Sequence, residues 1–479
     1  MIYKLPEPII DEKTPFTNCK LGRQKYADIL TKIIGVNQGC VFAIDGEWGS
    51  GKTTFVKMWK QCLINDGFHV LYFNVWEHDF IADPIIGLVS QFRDMADVDK
   101  ISAAFSKITA AAGKIVTGIF PAVIKGVAKK SLGEDVVEVL ESAAQTISNS
   151  FEKIIDEYVE QSQSMIEFRN ALENLVESVT QEDKPLIFII DELDRCNPQF
   201  AVKVLERVKH LFNVPNIVFV LSIDKVQFCH SICGYYGSEN LNAEEYLKRF
   251  IDIEYRLPEP NIEDFSTYLY DVYGFDDFFA SELRGQYFQR NEEKEEFLKM
   301  ARILFEYMHL NLRQMEKICA HIRLTLQSFR ANQYVNPGVI LILMCFRLTD
   351  RNFYNQILSK NLTVQELLNH IEETLPKNIF IENEYNRYTV FRHAVWETAR
   401  LIVAYNLNMN GVQNEVLIKK NQTENSSNDV FKLSITPKII PLDSLQEAIK
   451  WYTENTYRND RVMPLDYIMR HIELLTFLQ

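Results

Sequence analysis

The hydrophobic pattern along the first 260 residues alternates between short apolar runs and longer stretches at helical spacing. Cys40-Val41-Phe42-Ala43-Ile44-Asp45, Leu186-Ile187-Phe188-Ile189-Ile190 and Asn216 to Asp224 are too short and too uniformly apolar for amphipathic helices and read as buried strands. His69 to Asn74 reads as another strand, and Phe250 to Leu257, which alternates apolar and polar until Pro258 and Pro260 stop it, as one at a sheet edge. Between them, Leu21 to Ile34 (with Tyr26, Ile29, Leu30, Ile33 and Ile34 on one face), Thr53 to Ile64 and Phe200 to Phe212 recur at helical spacing. About five strands with helical crossovers predict an α/β three-layer domain with a parallel sheet. The region from 85 to about 180 carries helical spacing and no strand pattern, and the residues after 261 are mainly helical. The domain boundaries expected are an N-terminal arm at 1–20, a core at 21–84, a helical insertion at 85–182, the core resumed at 183–260, a helical lid at 261–330 and a mainly α region at 331–479.

The turn after the first strand carries the candidate chemistry. Gly46-Glu47-Trp48-Gly49-Ser50-Gly51-Lys52-Thr53 places three glycines where main-chain amides can turn inward to a phosphate, and the following helix offers its positive end to the same anion. Lys52 is expected to reach the β and γ phosphates, the Thr53 hydroxyl to ligate Mg²⁺, and Thr54 to lie in the same first turn. The strand Leu186 to Ile190 ends in Asp191-Glu192, where Asp191 is placed to hold the metal through water and Glu192 to deprotonate the attacking water. At the end of the next strand, Ser222 and Asp224 either sense the γ-phosphate or start the following turn. Lys248 or Arg249 is a candidate arginine-finger equivalent across an oligomer, with a surface salt bridge as the competing reading, and Arg313 in the lid a candidate contact to nucleotide.

Composition narrows the partners. At 47% apolar and 24% charged the chain is ordinary for a globular protein, and 51 basic against 65 acidic residues leave a net charge of −14. A surface this acidic does not draw nucleic acid or anionic membrane to itself as a whole, so such contacts would be local. The eight cysteines form no CxxC pair, and Cys229-His230-Ser231-Ile232-Cys233 lacks the second half of a zinc site. Reduced cysteines and the absence of signal-peptide anatomy lead to the expectation of a cytoplasmic protein. Val339 to Phe346 is too short an apolar run to span a bilayer. Within 101–130, Lys107, Lys114, Lys125 and Lys129 share one helical sector, a face suited either to the surface of the inner membrane or to solvent above a packed apolar side.

Taken in order, Gly46 to Thr53, Phe73-Asn74-Val75-Trp76, Asp191-Glu192-Leu193-Asp194-Arg195-Cys196 and Tyr246-Leu247-Lys248-Arg249-Phe250 followed by Leu257-Pro258 resemble the KAP P-loop NTPases. The resemblance implies an additional-strand, catalytic-glutamate P-loop core with an insertion, ATP and Mg²⁺ as ligands, and in bacteria a frequent association with exclusion of phage or mobile elements. Many members carry transmembrane helices in the insertion, where this chain has lysine-interrupted helices, and the commoner acidic pair is Asp-Asp. ATP is favoured over GTP because no Asn-Lys-x-Asp tetrad occurs. The resulting expectation is an Mg²⁺-dependent ATPase that switches the 261–479 region within a homo-oligomer or partner assembly. A membrane-surface or partner-binding scaffold with structural nucleotide, and a nucleic-acid-stimulated ATPase, are the alternatives.

Overall fold

A computed structural model describes residues 5–473 except 36–38, 82, 96–98, 118–158, 161, 181–183, 288–291, 376, 381–389, 408–415, 422–429 and 460–461. The chain divides into two compact units, Pro8–Glu259 and Pro260–Gln479 with Met1–Glu7. The stretches expected as lid and C-terminal region both fall in the second unit.

The first unit is built on a five-stranded sheet, β1 (Cys40–Asp45), β2 (Val70–Asn74), β3 (Leu186–Asp191), β4 (Ile217–Ile223) and β5 (Ile253–Arg256), in the order β2-β3-β4-β1-β5. Every pairing is parallel, so all carboxyl ends lie along one edge. Register aligns Asn74 with Asp191, Asp191 with Ser222 and Ser222 with Ile44, which brings the polar strand ends into one row. Strand β3 and strand β4 are buried at every residue, as their unbroken apolar runs require of central strands covered on both faces. Strand β5 is shorter than the alternation at 250–257 suggested, and its i-e-i-e burial suits an edge.

Alternate side chains feed two cores, which makes the domain three-layered. On one face Ile187, Ile189, Val218 and Val220 pack with Phe42 and Ile44 beneath helix α1 (Gln24–Gly35) and helix α2 (Lys52–Asn65), whose Leu30, Ile34, Phe55 and Trp59 are buried. In α1 the buried stripe is Ala27, Leu30 and Ile34; Ile29 is turned out, 48% exposed, against the expected face. On the other face Phe188, Ile190, Phe219 and Leu221 meet Leu88, Phe92, Ile108, Phe168 and Leu172. Helix Asp99–Thr117 therefore packs Ile108, Ala111, Ala112 and Ile115 on the core while Lys107 and Lys114 are exposed, Lys114 lying 3.5 Å from Glu167. Lys125 and Lys129 lie outside the described residues. Among the described residues no helix is long and apolar enough to cross a membrane.

In the second unit, helix Pro337–Thr349 is buried over Pro337 to Phe346 and is surrounded by helices Glu292–Tyr307, Leu312–Gln327, Arg351–Ser359 and Arg392–Asn406. The apolar run Val339 to Phe346 is thus the axis of a helical core. Strands Ile418–Asn421 and Val430–Leu433 pair antiparallel.

Candidate functional site

The loop between β1 and α2 is shaped by two left-handed glycines, Gly49 at φ 81° and Gly51 at φ 83°, a conformation that disfavours a Cβ. Gly46 is needed for a different reason from the one its motif suggests. Its φ is not positive; a Cβ there would stand 3.1 Å from Ser50 Oγ and 3.4 Å from the Lys52 stem. Gly51 is the N-cap of α2 and provides no side-chain cap, and the first helical bond runs from Phe55 N to the Gly51 carbonyl at 3.1 Å. The amides of Lys52, Thr53 and Thr54 therefore open the helix without an intrahelical acceptor, facing the place an anion would occupy.

Lys52 is buried, and its ammonium donates to the loop's own carbonyls, Gly46 O and, at 3.0 Å, Glu47 O. Burial pushes its pKa down, opposed by the charges of Asp194, Asp224 and Asp191. The middle of the loop is pinned by two acids. Asp224 caps the next helix, Lys225–Tyr236, by accepting from Gln227 N at 3.1 Å, and with its other oxygen accepts from Trp48 N at 2.9 Å. Asp194 accepts from the Trp48 indole, and burial pushes its pKa up against the pull of Lys52. Glu47 is exposed, 4.0 Å from Arg256.

The acids at the end of β3 lie beside this loop. Thr53 Oγ1 stands 3.5 Å from Glu192 Oε1. Asp191 accepts from the Tyr72 hydroxyl at 2.9 Å and from Glu192 N at 3.0 Å. The Tyr72 phenol is pushed up, first by burial and then by the Asp191 charge. Glu192 adopts the left-handed region at φ 62°, unusual for a residue with a side chain, and caps a short 3₁₀ helix, Leu193–Arg195. Its carboxylate contacts Asn74 Nδ2 at 3.1 Å and Arg195 Nη1 at 2.5 Å. Ser222 Oγ is buried and unpartnered among the described residues, directly beside Asp191 in register.

Other expected residues are placed differently. Lys248 is exposed and paired with Glu245 at 2.8 Å, and Arg249 is exposed beside it. Arg313 is exposed on the first turn of Leu312–Gln327 in the second unit. Several contributors were given no role from the sequence, although Asn74 and Asp194 fall within the motifs quoted above. Arg23 is 2% exposed, donates at 3.3 Å to both Gly51 O and Pro258 O, and is pushed down to about 10 by burial. Asn74, Tyr72 and Asp194 act through partners more than 100 residues away.

Four carboxylates, those of Asp191, Glu192, Asp194 and Asp224, meet the cations Lys52 and Arg195 here. That excess of negative charge fits a divalent cation. Among the described residues no cluster of three or more His, Cys, Asp or Glu is arranged to hold a metal.

Among solved structures the chain is similar to the ORC2 protein of Aeropyrum pernix in ADPNP-ADP complexes, at 14% identity over 91% of this chain and 95% of that one, TM-score 0.32. It is also similar to Cdc6p of Pyrobaculum aerophilum, at 12% identity over 94% and 100%, TM-score 0.33. No curated protein matches the sequence. The model of the KAP family P-loop domain matches residues 23–330, a span that holds the loop, the row of strand ends and the acids after β3 and covers well over half of the chain; the protein belongs to the KAP family of P-loop NTPases.

Proposed function

We propose that the protein is an Mg²⁺-dependent ATPase, a conformational switch in a bacterial defence assembly directed at phage or mobile elements. The observation that carries the hydrolytic part is the approach of Thr53 to Glu192, 3.5 Å, which joins the phosphate loop to the acidic pair across β4. Lys52 exchanges the carbonyls of Gly46 and Glu47 for phosphate oxygens, and the first amides of α2 take the rest of the anion's charge. Thr53 and Asp191 would hold Mg²⁺, which would supply positive charge to neutralise the phosphates. Glu192 takes the proton from the attacking water. The defence role is supported by family membership.

Two variants test the assignment. Lys52→Ala is expected to weaken ATP binding by about 100-fold or more, and Glu192→Gln to keep binding while turnover falls about 10²- to 10⁴-fold. Calorimetry and a phosphate-release assay read the two; full turnover by Glu192→Gln would refute the base. Plaque counts on cells expressing wild type and Lys52→Ala test the defence role, and equal counts would remove it.

A further inference from the structure

The hydrolysis scheme leaves Arg195 unused, although it makes the closest charged contact in the site. Side chains three apart eclipse in a 3₁₀ turn, so helix Leu193–Arg195 sets Arg195 over Glu192, with Nη1 at 2.5 Å from Oε1. Asn74 Nδ2 takes the other oxygen at 3.1 Å. The backbone beneath is fixed as well: Glu192 N donates to Asp191 Oδ1 at 3.0 Å, and Arg195 N returns to the Glu192 carbonyl at 3.1 Å. One oxygen of the proposed base is thus held in a short ion pair and the other accepts a hydrogen bond. A carboxylate held at both oxygens is less free to turn towards an incoming water, and opening the ion pair releases it. The guanidinium also faces the Trp76 ring, its Cζ 5.6 Å from the centroid, and Trp76 is 50% exposed. The contact that restrains the base is therefore shelved on a ring that solvent can reach.

We propose that Arg195, resting on Trp76, is a positioning residue that restrains Glu192 in the resting site, so that basal hydrolysis is slow and rises when Arg195 is drawn off the carboxylate. The inference rests on Glu192 being the base of the proposed ATPase and supplies a regulation for that site. The guanidinium touches Glu192 and the Trp76 ring and reaches Lys52 only through space, so its removal should change kcat more than nucleotide affinity.

The test uses the full chain with ATP and Mg²⁺. Arg195→Gln is expected to raise kcat about 3- to 10-fold with KM within about twofold, Arg195→Lys to restore the low rate, and Trp76→Ala to give a smaller rise. The emission of Trp76, taken as wild type minus Trp76→Phe, should shift in Arg195→Gln before any nucleotide is added, and circular dichroism checks that each variant is folded. A kcat that falls in both Arg195→Gln and Trp76→Ala, or a Trp76 emission that ignores Arg195→Gln, overturns the restraint while leaving the ATPase standing. Nucleotide bound but hydrolysed by none of these proteins would instead overturn the ATPase reading.

Discussion

Two groups of main-chain amides at helix starts, one in each unit, answer to negative charge in opposite ways. In the second unit the amides of Lys438, Ile439 and Ile440 converge on the Glu372 carboxylate at 2.8 to 3.0 Å, just before helix Leu442–Asn459. Glu372 is 1% exposed, and the anion is the chain's own. At the start of α2 no side chain caps the helix, and the nearby acids Asp224 and Asp194 bond to Trp48 instead. The first arrangement fixes a fold. The second keeps the same kind of donors for an anion from outside. What separates structure from binding here is therefore which anion the sequence withholds.

Substituting each side of that comparison should give unlike results. Glu372→Ala strips three amides of their acceptor, that of Ile440 buried, and should lower stability by about 2–3 kcal/mol, read by chemical denaturation, with ATP affinity at the P-loop unchanged below the transition. Gly51→Ala forces a side chain into a left-handed position and should lower stability by about 1–2 kcal/mol, with ATP affinity falling as well, measured by calorimetry. Equal loss of ATP binding in both variants would erase the distinction.

A third carboxylate sharpens the comparison, because it has too few donors. Glu397 is buried beside Glu296, with Arg400 Nη1 at 3.2 Å from one and 2.7 Å from the other, and burial pushes it up to about 8. Its folded-state pKa lies above the unfolded value, so between roughly pH 4.5 and 8 the native state holds a proton that the unfolded chain has lost. This group's contribution should make stability fall as pH rises through that window, by at most about 1.4 kcal/mol per unit, and level off above it. Melting temperatures against pH should show the slope, and Glu397→Gln should flatten it.

The fold and the phosphate loop were legible in the sequence because both depend on local spacing. A strand buried on both faces must be apolar throughout, and Gly49, Gly51, Lys52 and Thr53 act within one turn of each other. The acids after β3 were legible for the same reason. Arg23, Tyr72, Asn74 and Asp194 were not, since each becomes meaningful through a partner that the sheet order brings near. Glu372 illustrates the limit: an ordinary glutamate in a helical stretch whose three donors lie 66 to 68 positions downstream. Gly46 was found without its particular reason, because the motif shows that a glycine is required but not whether torsion or space requires it.

The φ of 62° at Glu192 sets a trap for anyone engineering robustness. Asparagine or glycine relaxes a left-handed backbone, so selection on melting temperature alone would favour exactly such replacements at this codon. A library ranked that way would yield hardier proteins that have discarded the residue proposed as the proton acceptor, and with it the proposed activity.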